Sequence, residues 1–325
     1  MKNIAVIYGG NSSEFDVSVG SGRQVSAHID RTRYNVYGVL IRGADWRVQL
    51  DGGRETAAID RSDFSFMHGG QKTAFDCAFI VVHGSPGEDG LLQAFFDMLH
   101  IPYTSCNAFV SMLTFNKYAT KCFLRDTGVQ LAKEVYAAAG RPVDYPALVQ
   151  HLGLPLFVKP NASGSSFGVT KVKDERDLPA AFAAAFAESD TAIAEEYIAG
   201  RELQQGVFKT AGRTTALPVT EIISHNEFFD YNAKYCGQSS EITPAHIPPA
   251  LAQRLSDQSI RIYDYLGCRG IVRIDYIVRD GAIYFLEINT IPGMSQASIV
   301  PQQLRAAGIA LSDACTWLIE DVITR

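Results

Sequence analysis

The chain has 325 residues, of which 47% are hydrophobic and 20% are charged, and its formal net charge at pH 7 is −6. This composition is typical of a globular protein with room for two or three domains. The acidic balance, without a cluster of Lys and Arg, argues against a nucleic-acid or membrane-surface partner. The chain shows no signal-peptide pattern and no run of about 18 apolar residues, so we expect a cytoplasmic protein.

The first part of the chain alternates short apolar strands with helical stretches. The strand KNIAVIYGG ends in two glycines, a helical stretch follows near residues 17–28, and further strands are predicted at NVYGVLI (35–41) and DCAFIVVHG (76–84). This alternation predicts a parallel α/β unit of Rossmann type over residues 1–104. In such units the ligand loops lie at the carboxyl ends of the strands, and Gly9, Gly10, His83 and Gly84 fall there.

Beyond residue 104 the pattern changes to a mixture of helices and strands. Residues 107–127 are helical in pattern, PLFVKP and FGVTKV are predicted strands around a glycine loop, and LPAAFAAAFAE (178–188) is a predicted helix. Further strands recur up to AIYFLEIN, with helices at 249–266 and 311–323. We therefore predict an α+β arrangement in the C-terminal half. It is divided into a central subdomain (105–192) and a C-terminal subdomain (193–325).

The segment GIVRIDYIVRDGAIYFLEIN is typical of a β-hairpin whose apolar strands carry a few polar side chains. A two-residue turn at residues 280–281 would place Asp275 opposite Leu286 and put the acidic residues of the two strands on opposite faces. We instead predict a three-residue loop (279–281) with Gly281 in the left-handed conformation. The polar residues that this register places on one face are Arg273, Asp275, Glu287 and Asn289.

Alternation along IYFLEIN also places Ile283 and Phe285 on the face of Glu287, so that this face changes from apolar to oxygen-rich at its end. Two buried carboxylates and a carboxamide need a compensating cation. Hard oxygen ligands suit Mg²⁺, whose shell is completed by water and nucleotide phosphates. A network in which Arg273 alone offsets the acids fits the pattern equally well, and both alternatives stay open.

Three further motifs combine glycines with polar side chains. The loop in LFVKPNASGSSFGVTKV, which follows Lys159, is either a phosphate-covering turn or a plain hairpin. In VVHGSPGEDG, His83 lies at a strand end and is either catalytic or a hydrogen-bonded structural residue. In GGNSSEFD, Glu14 follows a glycine turn and is either a ligand-binding or a helix-capping carboxylate. Taken singly, these motifs do not decide between the alternatives.

The motifs taken together, in their order, resemble the D-alanine:D-alanine ligases of the ATP-grasp superfamily. The resemblance runs through GGNSSEFDVS, HGSPGEDG, VKPNASGSSFGV, FDYNAKY, GQSSEITPA, RIDY and EINTIPGMSQASIVP. It implies an ATP-grasp fold behind an N-terminal Rossmann-like domain, assembled as a homodimer. It also implies ATP-dependent ligation of two D-alanines through a D-alanyl phosphate for peptidoglycan precursors, with two Mg²⁺ ions that Mn²⁺ could replace.

The same resemblance implies the roles of individual residues. The residues expected to contact ATP are Lys117, Lys159, Ser166, Glu195, Glu196, Ile198 and Glu202. The expected metal ligands are Asp275, Glu287 and Asn289. The residues expected around the first D-alanine and its reacting carboxylate are Glu14, His83, Ser165, Tyr235, Arg273 and Gly293. The residues expected to receive the carboxylate of the second D-alanine are Lys234 and Ser298.

Three other functions compete with this interpretation. One is an inactive ATP-binding or regulatory protein with the same fold, but the presence together of Lys159, Arg273, Asp275, Glu287 and Asn289 argues against it. A related ligase could use another acceptor, such as D-lactate, D-serine or an unrelated amine, although the Lys234-Tyr235 pair resembles the ligases that join two D-alanines. A dinucleotide-dependent oxidoreductase is suggested by the first strand and Gly9-Gly10. That region lacks the G-x-G-x-x-G pattern, and Arg42 stands at the end of the second strand where an acid is expected.

Overall fold

The computed structural model describes residues 1–164, 167–224 and 239–324. In these ranges the chain forms three β-sheets, two of seven strands and one of four, with helices packed against them. None of the helices in the described ranges is long and apolar enough to cross a membrane.

The structure contains the predicted helices and strands together with several others. The strands are β1 (Lys2–Gly9), β2 (Tyr34–Arg42), β3 (Asp45–Leu50), β4 (Glu55–Asp60), β5 (Ser65–His68), β6 (Gln71–Ala74), β7 (Cys77–Ile80), β8 (Gln130–Leu131), β9 (Glu134–Ala138), β10 (Leu156–Pro160), β11 (Thr170–Val172), β12 (Thr191–Glu196), β13 (Arg201–Thr210), β14 (Arg213–Ala216), β15 (Thr220–Ser224), β16 (Ser239–Ile242), β17 (Ile271–Arg279) and β18 (Ala282–Asn289). The helices are α1 (Phe15–His28), α2 (Leu91–Leu99), α3 (Ala108–Phe115), α4 (Lys117–Leu124), α5 (Tyr145–Leu152), α6 (Leu178–Glu188), α7 (Pro249–Leu266), α8 (Ile299–Ala306) and α9 (Leu311–Ile323).

The predicted helical region 107–127 is divided into α3 and α4 by asparagine caps. The side chain of Asn107 accepts a hydrogen bond from the N–H of Val110, and that of Asn116 accepts one from the N–H of Ala119, each at 2.9 Å. Each cap satisfies an N–H group that would otherwise have no partner in the first turn of its helix. The second cap starts α4 at Lys117, and so directs this lysine toward the site described below.

The N-terminal sheet has the strand order β6-β5-β4-β3-β2-β1-β7. The strand β1 runs parallel to both β2 and β7, which confirms the parallel α/β unit. The antiparallel strands β3 to β6 extend this sheet and were not predicted. Segments such as DWRVQL and ETAAID are short, and each has a single buried residue, so their sequences lack the continuous apolar run that marks a buried strand.

The C-terminal two thirds of the chain contain two further sheets, in which all the strand pairs are antiparallel except β8 with β18, which is parallel. The four-stranded sheet has the order β11-β10-β12-β9, with α6 packed on it through Phe182 and Ala185. The seven-stranded sheet has the order β16-β15-β13-β17-β18-β8, with β14 paired to β13. Residues of α3 and α4, among them Val110 and Leu124, pack in the core of this second sheet.

One core cluster joins the N-terminal sheet to the C-terminal sheet. From the N-terminal part it contains Val6 of β1 and Val25 of α1. From the C-terminal part it contains Phe208 of β13, Leu318 of α9 and Met294, which lies after β18. Close packing of buried side chains resists relative displacement of the elements that carry them. The loops at the carboxyl ends of β1 and β7 are therefore held against the segment that follows β18.

In the hairpin of β17 and β18 the four polar residues lie on one face, as predicted, but the turn and the register differ from the prediction. Arg279 pairs with Ala282, so the turn is the two-residue turn Asp280-Gly281, with φ of 51° and 79°, and the predicted three-residue loop is wrong. The register shifts at a β-bulge between Asp275 and Tyr276, which leaves Leu286 as the extra residue on β18. The pairs beyond the bulge are Asp275 with Glu287 and Arg273 with Asn289.

The bulge also changes which residues share a face. Ile283 and Phe285 pack in the core together with Ile288, whereas Tyr284 and Glu287 line a cavity. The expectation that Ile283 and Phe285 lie on the face of Glu287 is therefore wrong. The extra residue reverses the alternation of the strand between Phe285 and Glu287.

Candidate active site

Two cavities meet between the sheets. The larger, of about 450 Å³, lies between the four-stranded sheet and the C-terminal seven-stranded sheet, and the smaller, of about 200 Å³, lies beside the loops that follow β1 and β7. The residues that line both cavities are Lys117, Ser163, Gly164, Gln204 and Glu287. Groups bound in the two cavities would thus face each other across a junction that carries both a lysine and a carboxylate.

The larger cavity has an apolar half, as a flat aromatic ligand requires. Its apolar lining includes Phe157, Val169, Ile198, Ile222, Ile277, Tyr284 and Leu286. Polar groups stand at the rim, and Glu202 lines the cavity on β13. The side chain of Glu196 accepts a hydrogen bond of 2.8 Å from the N–H of Lys133, and the N–H of Glu196 donates one of 3.1 Å to the carbonyl of Lys133.

A cluster of buried lysines and glutamates forms the floor of the larger cavity. Lys159, at the end of β10, and Lys121 of α4 both form ion pairs with Glu195, and Lys121 Nζ lies 3.3 Å from Glu134 Oε2. Burial lowers the pKa of Lys121, and it lowers the pKa of Lys159 well below the usual range, with Lys121 and Lys117 acting in the same direction. Positive groups held together in this way are poised to receive an anion such as a phosphate.

Lys117 ties the glycine loop to the junction. Its Nζ donates a 2.7 Å hydrogen bond to the carbonyl of Ser163 and lies 3.6 Å from Glu287 Oε2. The N–H groups of Lys117 and Tyr118 also donate to the carbonyl and the side chain of Asn161 at 3.0 and 2.8 Å. The start of the loop predicted to cover phosphates is therefore fixed against α4.

The predicted metal ligands come together on one face of the hairpin. Asp275 is 2% exposed and accepts hydrogen bonds of 2.8 and 2.9 Å from the guanidinium of Arg273, so the ion-pair network considered above is present. Asn289 Oδ1 accepts from the N–H of Ile291 at 3.0 Å. In the described part of the chain no three His, Cys, Asp or Glu side chains gather as a metal site. Two carboxylates and one carboxamide nevertheless form a hard-oxygen donor set that fits Mg²⁺.

The smaller cavity brings Glu14 against the glycine loop. A Cβ atom on Gly164 would lie 2.2 Å from Glu14 Oε2, so only glycine permits this approach. Glu14 precedes α1 and is 9% exposed. Its carboxylate is therefore a buried negative group facing the cavity, suited to an ammonium group.

His83 is buried and uses both ring nitrogens within the protein. Its Nδ1 lies 2.9 Å from the carbonyl oxygen of Ile291, and its Nε2 lies 3.0 Å from the hydroxyl of Ser21. Burial lowers the pKa of His83, which favours the neutral ring. In this arrangement His83 borders the cavity as a hydrogen-bonded residue that contacts the segment after β18.

The segment after β18 carries Gly293 and Ser298 to the cavity wall. A Cβ atom on Gly293 would lie 2.8 Å from the hydroxyl of Ser298, and within the described residues the Gly293 N–H has no hydrogen-bond partner. The hydroxyl of Ser298, at the start of α8, contacts the hydroxyl of Ser295 at 2.7 Å. The segment thus offers an N–H donor and a helix start to a bound anion.

Most of the predicted site residues meet around these two cavities. The predicted residues that line them are Glu14, His83, Lys117, Lys159, Glu195, Glu196, Ile198, Glu202, Arg273, Asp275, Glu287, Asn289, Gly293 and Ser298. The predicted residues that lie outside the described residues are Ser165, Ser166, Lys234 and Tyr235.

The structure adds site residues that the sequence patterns did not single out. Lys121 lies four residues after Lys117, and this helical spacing of two lysines was an available signal. Glu88, within GSPGEDG, is 7% exposed, lines the smaller cavity and accepts a 2.7 Å hydrogen bond from the N–H of Gly84. Gln204 pairs with Asp275 across β13 and β17, and its buried Oε1 finds no hydrogen-bond partner among the described residues.

A cavity with an apolar half and buried lysines, adjoining a smaller polar cavity at a carboxylate-rich hairpin, is the arrangement of an ATP-grasp ligase. In this class of enzyme, phosphoryl transfer from ATP activates a carboxylate for attack by an amine. The predicted fold class agrees with the mixed α/β architecture described above.

Comparison with known proteins gives the family. A family model described as D-ala D-ala ligase N-terminus matches residues 3–106, and one described as D-ala D-ala ligase C-terminus matches residues 130–320. A D-alanine--D-alanine ligase of Phocaeicola vulgatus is 47% identical over 321 residues, covering 98% of this chain and 99% of its own length. The chain therefore belongs to the D-alanine–D-alanine ligase family, a family of ATP-dependent ligases.

Solved structures of similar proteins confirm the predicted ATP-grasp fold. The VanG D-Ala:D-Ser ligase of Enterococcus faecalis is 31% identical, with a TM-score of 0.86 and coverage of 98% of both chains. A D-alanine--D-alanine ligase of Bacillus anthracis complexed with ATP is 28% identical, with a TM-score of 0.78 and coverage of 98% of this chain and 96% of that one.

Proposed function

We propose that this protein joins two D-alanines into D-alanyl-D-alanine for peptidoglycan precursors in the cytoplasm, with ATP as the phosphoryl donor. The observation that carries the proposal is the junction of the two cavities at Lys117, Gln204 and Glu287. A γ-phosphate in the larger cavity and a carboxylate in the smaller one would meet there. Direct attack of an amine on a carboxylate is slow, so the carboxylate must first be activated, and phosphoryl transfer activates it.

In the first step, the carboxylate of one D-alanine accepts the γ-phosphoryl group of ATP, giving D-alanyl phosphate and ADP. Glu14 would bind the ammonium group of this D-alanine, with Ser165 and Tyr235 beside it. Lys117 and Lys159 would bind the phosphates, with the Ser166 loop above them. The positive charge of the two lysines would offset the negative charge on the phosphoryl group during its transfer.

The nucleotide would lie with its adenine in the apolar half of the larger cavity. The carboxylates of Glu195 and Glu196 are engaged with Lys121, Lys159 and the backbone of Lys133, so their main chain, with Ile198, would face the adenine. Glu202 on β13 would accept hydrogen bonds from the ribose hydroxyls.

Asp275, Glu287 and Asn289 would hold two Mg²⁺ ions beside the phosphates. When bound, the ions supply neutralisation of phosphate charge. Mn²⁺ could replace them, because it also accepts oxygen ligands.

In the second step, the ammonium group of the second D-alanine releases one proton to solvent, and the amine attacks the acyl carbon. The acyl C–O bond to phosphate breaks, and the second proton lost by the nitrogen leaves with the phosphate. The tetrahedral oxyanion that forms between these events would be stabilised by the guanidinium of Arg273 and the N–H of Gly293. Lys234 and Ser298 would receive the carboxylate of the second D-alanine. His83, which borders this cavity, would hold the segment that carries Gly293.

Product identification tests the proposed function. The protein is incubated with ATP, Mg²⁺ and D-alanine, and the products are identified by mass spectrometry together with the phosphate released. We expect D-alanyl-D-alanine and one phosphate per dipeptide. The same assay with D-lactate and D-serine as acceptors measures specificity, since the similar VanG protein is a D-Ala:D-Ser ligase. Phosphate release that does not depend on D-alanine would contradict the proposal.

We also propose that the chain is divided into domains at residues 1–104, 105–192 and 193–325.

We propose further that the protein assembles as a homodimer. A patch of exposed apolar side chains on α3, α4 and α7 supports a homodimer: Phe109 is 62% exposed, Met112 56%, Phe123 41% and Tyr265 52%. Rings in this patch contact each other, with Phe123 and Tyr265 centroids 5.5 Å apart. Patches of this kind on a protein surface are typical of subunit interfaces. A shift to monomers in Phe109→Asp, measured by sedimentation, tests it.

A further inference from the structure

The segment between β18 and α8 depends on other parts of the protein for its position. Residues 290–297 lie outside regular helix and strand, yet this segment must present the N–H of Gly293 to the reacting group. Ile291 and Met294, on either side of Gly293, are 3% and 2% exposed. The position of the Gly293 N–H is therefore set by whatever holds these two neighbours.

Two buried side chains from the N-terminal domain hold both neighbours. Ser21 of α1 accepts a 3.1 Å hydrogen bond from the N–H of Met294, and His83 lies 2.9 Å from the carbonyl oxygen of Ile291. Ser21 and His83 contact each other at 3.0 Å. We call this set of three hydrogen bonds the Ser21–His83 clamp.

The chemistry of the partners fixes the direction of each hydrogen bond in the clamp. The carbonyl of Ile291 can only accept, so Nδ1 of His83 carries the proton and Nε2 of the neutral ring is an acceptor. The N–H of Met294 can only donate, so the hydroxyl of Ser21 accepts from it and donates its own hydrogen to Nε2 of His83. Burial lowers the pKa of His83, in agreement with a neutral ring, and the charged groups that face it are Glu14 and Arg273.

We propose that Ser21 is a positioning residue for the ligation step, because the Ser21–His83 clamp holds the Gly293 N–H where the tetrahedral oxyanion forms. The inference rests on the proposed function. Ser21 touches neither substrate: it is 0% exposed and lies one side chain behind the cavity wall formed by His83. It acts through His83 and the backbone of the segment. The clamp also connects α1, which starts beside Glu14, to the group that would stabilise the oxyanion.

Ser18 provides a matched control on the same helix. It is also 0% exposed, and its hydroxyl also bridges two backbone groups: it accepts from the N–H of Gly9 at 2.8 Å and donates to the carbonyl of Val81 at 2.7 Å. Neither of these hydrogen bonds involves residues 290–297. Loss of either hydroxyl removes two buried hydrogen bonds, so similar losses of stability are expected for Ser18→Ala and Ser21→Ala.

Steady-state kinetics of the full-length variants test the proposal. We expect Ser21→Ala to lower kcat by about 10- to 100-fold, the effect of misplacing one oxyanion donor, while the KM for ATP changes by less than about twofold. Ser18→Ala should keep kcat within about twofold of the wild type. Because Nε2 of His83 loses its hydroxyl donor, the acidic limb of the kcat profile should move to higher pH in Ser21→Ala only. Equal kcat values for the two variants would overturn the proposal.

Amide hydrogen exchange gives a readout that does not need turnover. Peptides covering residues 290–297 should exchange faster in Ser21→Ala than in Ser18→Ala or the wild type. Ser21→Cys keeps the size of the side chain but is a weak hydrogen-bonding group, and should show the same changes if the alanine variant fails to fold. Unchanged exchange in this segment would refute the clamp, whereas a wild type that makes no D-alanyl-D-alanine would refute the proposed function alone.

Discussion

Glu88 should make the stability of this protein fall as the pH rises through neutrality. Burial, with Glu14 close by, raises the pKa of the Glu88 carboxyl from 4.5 to about 8, although Arg273 and Lys117 act in the opposite direction. A carboxyl with a raised pKa binds its proton more tightly in the folded state than in the unfolded state. Its contribution to stability is therefore complete below pH 4.5 and is lost as the pH rises towards 8.

The size of the effect follows from the shift. Between pH 5 and pH 7, Glu88 is ionised in the unfolded state and protonated in the folded state. The free energy of unfolding therefore falls by about 1.4 kcal/mol per pH unit, or about 3 kcal/mol in all. Glu88→Gln has no ionisation in this range, and its amide oxygen can still accept the hydrogen bond from Gly84. The free energy of unfolding of the variant should therefore rise relative to the wild type by about 3 kcal/mol over these two pH units.

Urea denaturation of both proteins at pH 5, 6 and 7 measures this difference. Glu175→Gln is the control, because Glu175 is exposed and hydrated in both states. The control should track the wild type at every pH. If the curves of Glu88→Gln and the wild type stay parallel from pH 5 to pH 7, then Glu88 is ionised in the folded protein and the reasoning fails. The product assay should show in addition whether the cavity tolerates the amide.

Three further substitutions test the site. Glu287→Gln should abolish turnover with little change in the urea midpoint, because it removes a metal ligand but keeps the shape of the side chain; near-normal kcat with saturating Mg²⁺ would contradict this. Arg273→Ala should lower kcat far more than it lowers ATP affinity, and the reverse result, by kinetics and nucleotide titration, would place Arg273 on the nucleotide. Lys121→Met should lower the free energy of unfolding by about 3–5 kcal/mol, because the carboxylates of Glu134 and Glu195 lose a buried partner; an unchanged urea midpoint would rule this out.

The elements of the chain were largely predictable because their signals are local. The helix over residues 178–188 follows from its alanine-rich pattern, and the helix over 249–266 starts at a proline and ends before Gly267. The strands β3 to β6 escaped prediction because they are short and polar at the edge of a sheet. What makes them strands is pairing with β2 and with each other, which no single segment encodes.

The candidate site was likewise predictable only in part. The family resemblance carried by the motifs and their order predicted that Glu14, Lys159 and Asp275 would belong to one site. The bulge at Leu286 was not predictable, since an extra residue in one strand is defined only by its partner strand. Burial shifts the pKa values of Lys121 and Glu88, and the burial of a single side chain cannot be predicted from the sequence.

The α/β and α+β character of the two halves, the order of the motifs and most of the charged residues that line the cavities could be predicted from the sequence. Three features depend on the folded chain: which carboxylates are desolvated, which lysines share Glu195, and how Ser21 and His83 hold the Gly293 segment. The physical reason is distance along the chain. Ser21 and Met294 are 273 residues apart, and only the packing of α1 against the segment that follows β18 brings a hydroxyl and an N–H group within hydrogen-bonding distance.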